Sequence, residues 1–342
     1  MKPLRRFPAL ALLAVSATLA FAAPSDLKIA TRWPVSGDGG WDYPTADAAT
    51  HRLYLSHNNG VDVLDLDKGT PVGRIEPATG VHGIAIAPGL GRGFVSCGRE
   101  SCVLVFDLKT LATITKLPVA GRNPDAILYE PATKRVFTFN GGSSNATAFD
   151  AASGAALGAI PLGGKPEFAV ADGHGRAWVN IEDQSELVEF DPAKLTIVRR
   201  WKVSPGEEPS GLAIDAAHER LFSVCGNGTL VVSDGAAGAV LTTLPIGHGV
   251  DGVAFDPKTG LVVSANGEGT ATVIHEDSPA KFVVVATDST ERGARTITVD
   301  TATGRFFTPT ASFGPAPEPT PERPHPRPSI VPGTFHVVVL SR

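Results

Sequence analysis

Seven residues of mixed chemistry recur at one point of a repeating pattern: Asp42, His82, Asp125, Glu167, Ser210, Asp251 and Arg295. Each opens a short apolar run, and the runs return at intervals of 40 to 44 residues. Carboxylates gathered in one narrow space repel, so each either has a raised pKa or shares a bound cation. Oxygen ligands with one imidazole suit Ca²⁺, Mn²⁺ or Zn²⁺. Asp42, His82, Asp125, Glu167 and Asp251 are therefore candidate ligands of a divalent cation, the one cofactor the sequence suggests. The competing reading is that the acids stay solvated or serve backbone groups at turns. Both readings stand on the sequence alone.

The elements that position these residues follow from the repeat itself. The copies include Gly83-Ile-Ala-Ile-Ala87, Gly211-Leu-Ala-Ile-Asp215, Gly252-Val-Ala-Phe-Asp256 and Thr296-Ile-Thr-Val-Asp300. After each comes a turn and a second strand, usually opening with arginine, as in Arg52-Leu-Tyr-Leu55 and Arg220-Leu-Phe-Ser223. A third strand ends at an acid, as in Val103-Leu-Val-Phe-Asp107, and a fourth follows a short turn. Four strands per unit, seven times, predict an all-β, seven-bladed β-propeller of four-stranded antiparallel blades. The seventh unit supplies three strands, and Leu27–Trp33 precedes the first unit. That N-terminal strand is expected to complete the last blade and close the ring, removing a free edge. Residues 23–342 then form one propeller.

Composition agrees. The 342 residues include 37 Gly and 28 Pro, 42% are hydrophobic and 19% charged, which is globular and rich in turns. Lys2, Arg5 and Arg6, an apolar stretch from Ala9 to Phe21 and Ala20-Phe21-Ala22 read as a signal peptide over residues 1–22. A periplasmic or secreted destination follows, with no membrane span. Losing those three cations takes the formal net charge from −5 to −8, which argues against a nucleic-acid partner.

The links between units resemble a known family. Pro124-Asp-Ala-Ile127, Lys165-Pro-Glu-Phe-Ala-Val170, Glu208-Pro-Ser-Gly-Leu-Ala-Ile214 and Gly249-Val-Asp-Gly-Val-Ala-Phe-Asp-Pro257 are similar to the links of bacterial YVTN-repeat (YncE-like) propellers. The resemblance spans about residues 41–310 and implies a divergent member, since Leu55-Ser-His57 and Phe94-Val-Ser-Cys97 depart from the family's second strands. It implies an exported protein. One branch of the family binds single-stranded DNA, a role the acidic balance does not support.

In such a fold the seven positions fall at one mouth of the central channel, where a small molecule or a partner protein would dock. Two functions remain open. One is a non-enzymatic, monomeric binding propeller. The other is a metal-dependent hydrolase or isomerase of the lactonase kind, in which the ion lowers the pKa of a bound water. Nucleophile elbows, His-Glu-x-x-His, phosphate-binding loops and EF-hand loops are absent from the sequence. Cys97 and Cys102 flank one hairpin loop and are expected to form a disulfide, whereas Cys225 reads as buried packing. His51, His174, His218 and His275 read as scattered surface residues. Residues 314–333 carry eight prolines and form an inserted loop in the last blade, with Arg323, His325 and Arg327 as its polar contacts should it act as a lid.

Overall fold

The computed structural model describes residues 27–318, 320, 326 and 328–342. Seven sheets of four antiparallel strands surround a central channel, each running from an inner strand at the axis to an outer strand at the rim. The expected architecture is thus present, blade for blade. The proposed signal peptide, 1–22, lies outside the described residues, as do Arg323, His325 and Arg327.

Side-chain pattern explains the layering. Second and third strands such as Arg135–Asn140 and Asn145–Asp150 are buried on both faces, because neighbouring blades cover them. They are accordingly apolar and β-branched or aromatic rather than alternating. Outer strands such as Thr196–Lys202 alternate between exposed and half-buried residues, as one solvated face requires. Inner strands crowd at the axis, where small residues are needed. A Cβ on Gly211 would lie 2.8 Å from the Cα of Gly252 in the next blade. The core is therefore a set of apolar layers between adjacent blades.

Closure occurs in the last blade, whose strand order places Lys28–Pro34 outside His336–Ser341. Trp33 of this closing strand stacks on Phe307, centroids 5.3 Å apart. It also covers Gly69 of the first blade, where a Cβ would fall 2.1 Å from the indole. One side chain thus joins the last blade to the first.

The arginines that open most second strands form a second, repeated device. Each reaches the turn that follows the third strand of the next blade. Arg52 donates to the Leu108 carbonyl, Arg92 to Ala152, Arg135 to Ala193 at 2.6 Å and Arg176 to Gly235 at 2.9 Å. Arg220 donates to Pro279 at 2.6 Å, and Arg305 returns to Leu66 of the first blade at 2.9 Å. In the sixth blade Leu261 stands in the arginine's place. The third and outer strands of its neighbour, His336–Ser341 and Lys28–Pro34, are not consecutive in sequence, so among the described residues no hairpin turn joins them.

Candidate functional site at the channel mouth

Six inner strands share a register break at their start. It falls between Trp41 and Pro44, Val81 and Ile84, Pro124 and Ile127, Pro166 and Ala169, Pro209 and Leu212, and Val250 and Gly252. Asp42, His82, Asp125, Glu167, Ser210 and Asp251 each lie inside such a break. A bulge leaves these residues out of the ladder and re-aims their side chains. Arg295 precedes the inner strand of the last blade, Thr298–Asp300.

Five of the seven residues form one continuous chain of charges. Arg295 Nε donates to Asp251 at 2.9 Å and its guanidinium lies 3.9 Å from Asp42. His82 Nδ1 is 2.7 Å from Asp42 and 3.6 Å from Asp125. The donor atoms of Asp42, His82 and Asp125 all lie within 4.8 Å of one another, so this trio has the spacing of a metal site. Glu167 stands apart, paired with Lys165 at 2.7 Å, and Lys165 also pairs with Glu182. Ser210 joins none of these contacts. Its hydroxyl faces the Val250 carbonyl at 3.5 Å and its own carbonyl accepts from Asn180, so it acts as a packing element.

Electrostatics separates the acids. Burial, reinforced by Asp42 against the pull of His82, pushes Asp125 up to about 6. Burial and the nearby Asp125 charge push Glu167 up to about 8, outweighing Lys165. Burial raises Asp251 in spite of Arg295. Burial opposes the His82 imidazolium, yet Asp42 and Asp125 more than offset it and raise the pKa. The Oδ1 atom of Asp125 is buried without a hydrogen-bond partner.

An open pocket of about 410 Å³ flanks this arc, lined by Trp41, Asp42, Asn58, Asn59, His82, Arg99 and Arg295 among others. A second, of about 350 Å³, shares Gly40, Trp41 and Arg295 with it and runs under the base of the proline-rich loop, where Phe313 bridges to Ile330. Below the mouth the channel wall is mixed, with Thr45 and Thr298 beside aliphatic residues such as Ile84, Ile127, Val253 and Ile297.

Sequence reasoning missed Tyr43, Lys165, Glu182 and Arg99. Lys165 had a readable signal, lying two residues before a mouth acid. Tyr43 had none, because its role depends on what lies across the channel. The cysteines require a correction. Cys97 and Cys102 are directly opposed in the ladder, but both are free buried thiols and the expected disulfide is not formed in this structure. Opposed ladder residues hold their Cβ atoms about 4.5–5.5 Å apart, a little wider than the 3.5–4.5 Å or so of a disulfide, so a small closure would be needed to form the bond. His218 is exposed in a turn, as read from the sequence, but it also sits beside Asp215 and Glu276, a grouping the sequence did not reveal. Acids at the far ends of the inner strands serve turns. Asp47, Glu130, Asp256 and Asp300 accept from backbone amides and from Thr50, Thr133, Thr259 and Thr303.

No family model matches the chain, and no curated protein matches it. Solved structures do. Kuenenia stuttgartiensis hydrazine synthase is similar at 15% identity and a TM-score of 0.67, over 85% of this chain and 95% of that one. The structure of U3-55K is similar at 8% identity and 0.74, over 92% and 99%. The WD40 repeats of RRP9 are similar at 7% identity and 0.76, over 94% and 99%. Likeness at such identities shows the propeller fold and nothing narrower.

Proposed function

We propose that this chain is an exported binding propeller whose channel mouth takes a small polar ligand, or a charged group of a partner protein, carrying both signs of charge. The observation that carries this reading is the juxtaposition of Asp42 with Arg295, 3.9 Å apart, on the wall of an open pocket of about 410 Å³. Arg99 and Arg295 offer donors to an anionic group; Asp42 offers acceptors to a cationic one; Asn58 and Asn59 supply neutral hydrogen bonds. The likeness of its links to YVTN-repeat propellers and the signal-like N-terminus support export. The test is a thermal-shift screen of small zwitterions, cations and anions, followed by calorimetry on Arg295→Ala and Asp42→Asn. A ligand that stabilises the parent and loses at least tenfold affinity in both variants supports the reading. Ligands that bind all three proteins alike overturn it.

A second reading has its own observation. The trio Asp42, His82 and Asp125 has metal-ligand spacing, and Asp125 Oδ1, 3.6 Å from His82, is buried without a hydrogen bond. A divalent ion there would make the mouth a site for metal-assisted hydrolysis or isomerisation of a lactone-like substrate. Metal content of the purified protein decides this. A stoichiometric ion lost in Asp125→Ala and in Asp42→Ala supports it, and a metal-free parent excludes it.

A further inference from the structure

On the face opposite the channel mouth, three side chains converge between the fifth and sixth blades. Asp215 ends the inner strand Pro209–Asp215, His218 lies in the turn that follows, and Glu276 lies near the end of the strand Thr270–Ser278. His218 Nδ1 contacts Asp215 Oδ2 and lies 4.0 Å from Glu276 Oε1. One donor atom from each residue lies within 4.8 Å of the others.

The arrangement is more than a surface acidic cluster, because Glu276 is buried and unsatisfied. Its side chain is only 4% exposed, and neither carboxylate oxygen has a hydrogen-bond partner. The nearest guanidinium is committed elsewhere: Arg220 donates to the Pro279 carbonyl and pairs with Asp234 at 3.0 Å. A buried carboxylate facing a second one requires a proton or a cation between them. Asp215 is already oriented for the cation. Its Oδ1 accepts the Ala217 amide at 3.0 Å, which leaves Oδ2 directed at the cluster, the kind of outer support that metal-ligating carboxylates have.

We propose that Asp215, His218 and Glu276 form a binding site for a divalent transition-metal ion of the Zn²⁺ class, clamping the fifth blade to the sixth. Two carboxylate oxygens and one imidazole nitrogen are a common three-residue donor set for such an ion, with water completing four-coordination. Ligands about 2.1 Å from a tetrahedral ion are about 3.4 Å apart, so His218 and Asp215, now in direct contact, part to admit the ion while Glu276 moves in from 4.0 Å. His218 side-chain exposure of 51% provides the entry path. The site is structural in character: it lies far from the mouth and joins two blades.

The test is calorimetric titration of the chelator-stripped full chain with Zn²⁺, and separately Mn²⁺, alongside His218→Asn, Glu276→Gln and Asp125→Asn. The expected result is one Zn²⁺ per chain, a higher melting temperature with the ion, at least tenfold weaker binding in His218→Asn and Glu276→Gln, and unchanged binding here in Asp125→Asn. His218 lies in an exposed turn, so its variant folds even if Glu276→Gln does not. Absence of binding shows that a shared proton satisfies the pair and overturns the proposal. Binding lost only in Asp125→Asn places the ion at the mouth and overturns it as well.

Discussion

Tyr43 of the first blade and Phe168 of the fourth meet edge to face across the central channel, with ring centroids 5.0 Å apart and planes at 61°. Each follows a mouth residue, Asp42 or Glu167, within the same register break. The bulge that aims the acid at the mouth therefore also places an aromatic ring toward the axis. Together the two rings floor the charged mouth and separate it from the channel beneath, which Phe168 also lines. Burial, reinforced by Asp251 and Asp125, raises the Tyr43 pKa well above its ordinary value, so the floor carries a neutral phenol.

Removing one ring should open that floor. Phe168→Ala is expected to join the mouth to the channel and admit an apolar fluorescent probe at one per chain, which the parent excludes. Tyr43→Ala should do the same and cost about 3 kcal/mol, while Tyr43→Phe keeps the floor shut. Probe titration with urea midpoints checks both. A parent that binds the probe as well as the variants do would show that the rings close nothing.

The raised acids predict a pH dependence of definite sign. Glu167, at about 8, and Asp125, at about 6, hold protons in the folded chain that the unfolded chain has released. Their stabilisation is complete below the ordinary carboxyl pKa and is lost as pH rises through those raised values. His82, also raised, acts in the same direction. Melting temperature should therefore fall between pH 5 and 9, and Glu167→Gln should flatten the part from about 6 to 8. Glu276, pushed up to about 7 by burial and Asp215, adds to the same window, so the double variant with Glu276→Gln should be flattest. A Glu167→Gln curve parallel to the parent's would mean that Glu167 is ionised throughout.

The propeller was legible because its determinants are local and repeated: strand patterning, turn residues and the spacing of Asp42, His82, Asp125, Glu167, Ser210, Asp251 and Arg295. That these positions share one mouth followed from the repeat. Which of them touch did not. Ser210 has the right position but packs against backbone, and Glu167 turns to Lys165, which also pairs with Glu182, instead of joining Asp42. Contacts across the axis, such as Tyr43 with Phe168, depend on the ring's curvature, which no single repeat encodes. The grouping around His218, itself exposed as expected, was hidden for a similar reason. Its partner Glu276 is 58 residues away and in another blade.

The cysteines give a chemical prediction. Cys97 and Cys102 face each other across the ladder, and the hydrogen bond that the Cys97 thiol donates to Cys102, followed by burial, raises the Cys97 pKa. Burial pushes Cys225 up to about 12, which leaves it unreactive. Glutathione-driven oxidation should form the Cys97–Cys102 bond alone, leave one titratable thiol in the denatured chain and add about 2 kcal/mol of stability. Three titratable thiols after exhaustive oxidation would show that the pair cannot close.

Ring closure gives the last prediction. Arg305 is the one member of the arginine series that joins the two ends of the propeller, donating to Leu66 and to the Asp67 carbonyl at 3.2 Å and pairing with the Asp67 carboxylate at 3.1 Å. Arg52 makes the same kind of contact between blades already joined by the chain. Arg305→Ala should therefore cost about 1–2 kcal/mol and raise amide exchange in the strand His336–Ser341, because opening there is not resisted by a covalent link. Arg52→Ala should cost a similar amount and leave exchange in that strand unchanged. Leu261→Arg completes the argument. Leu261 is buried in the apolar layer between the sixth and seventh blades, and among the described residues no hairpin turn joins the two strands opposite it. It should destabilise the fold by burying an unpaired charge. If Leu261→Arg instead stabilises the chain, the arginines act through something other than the turn of the next blade.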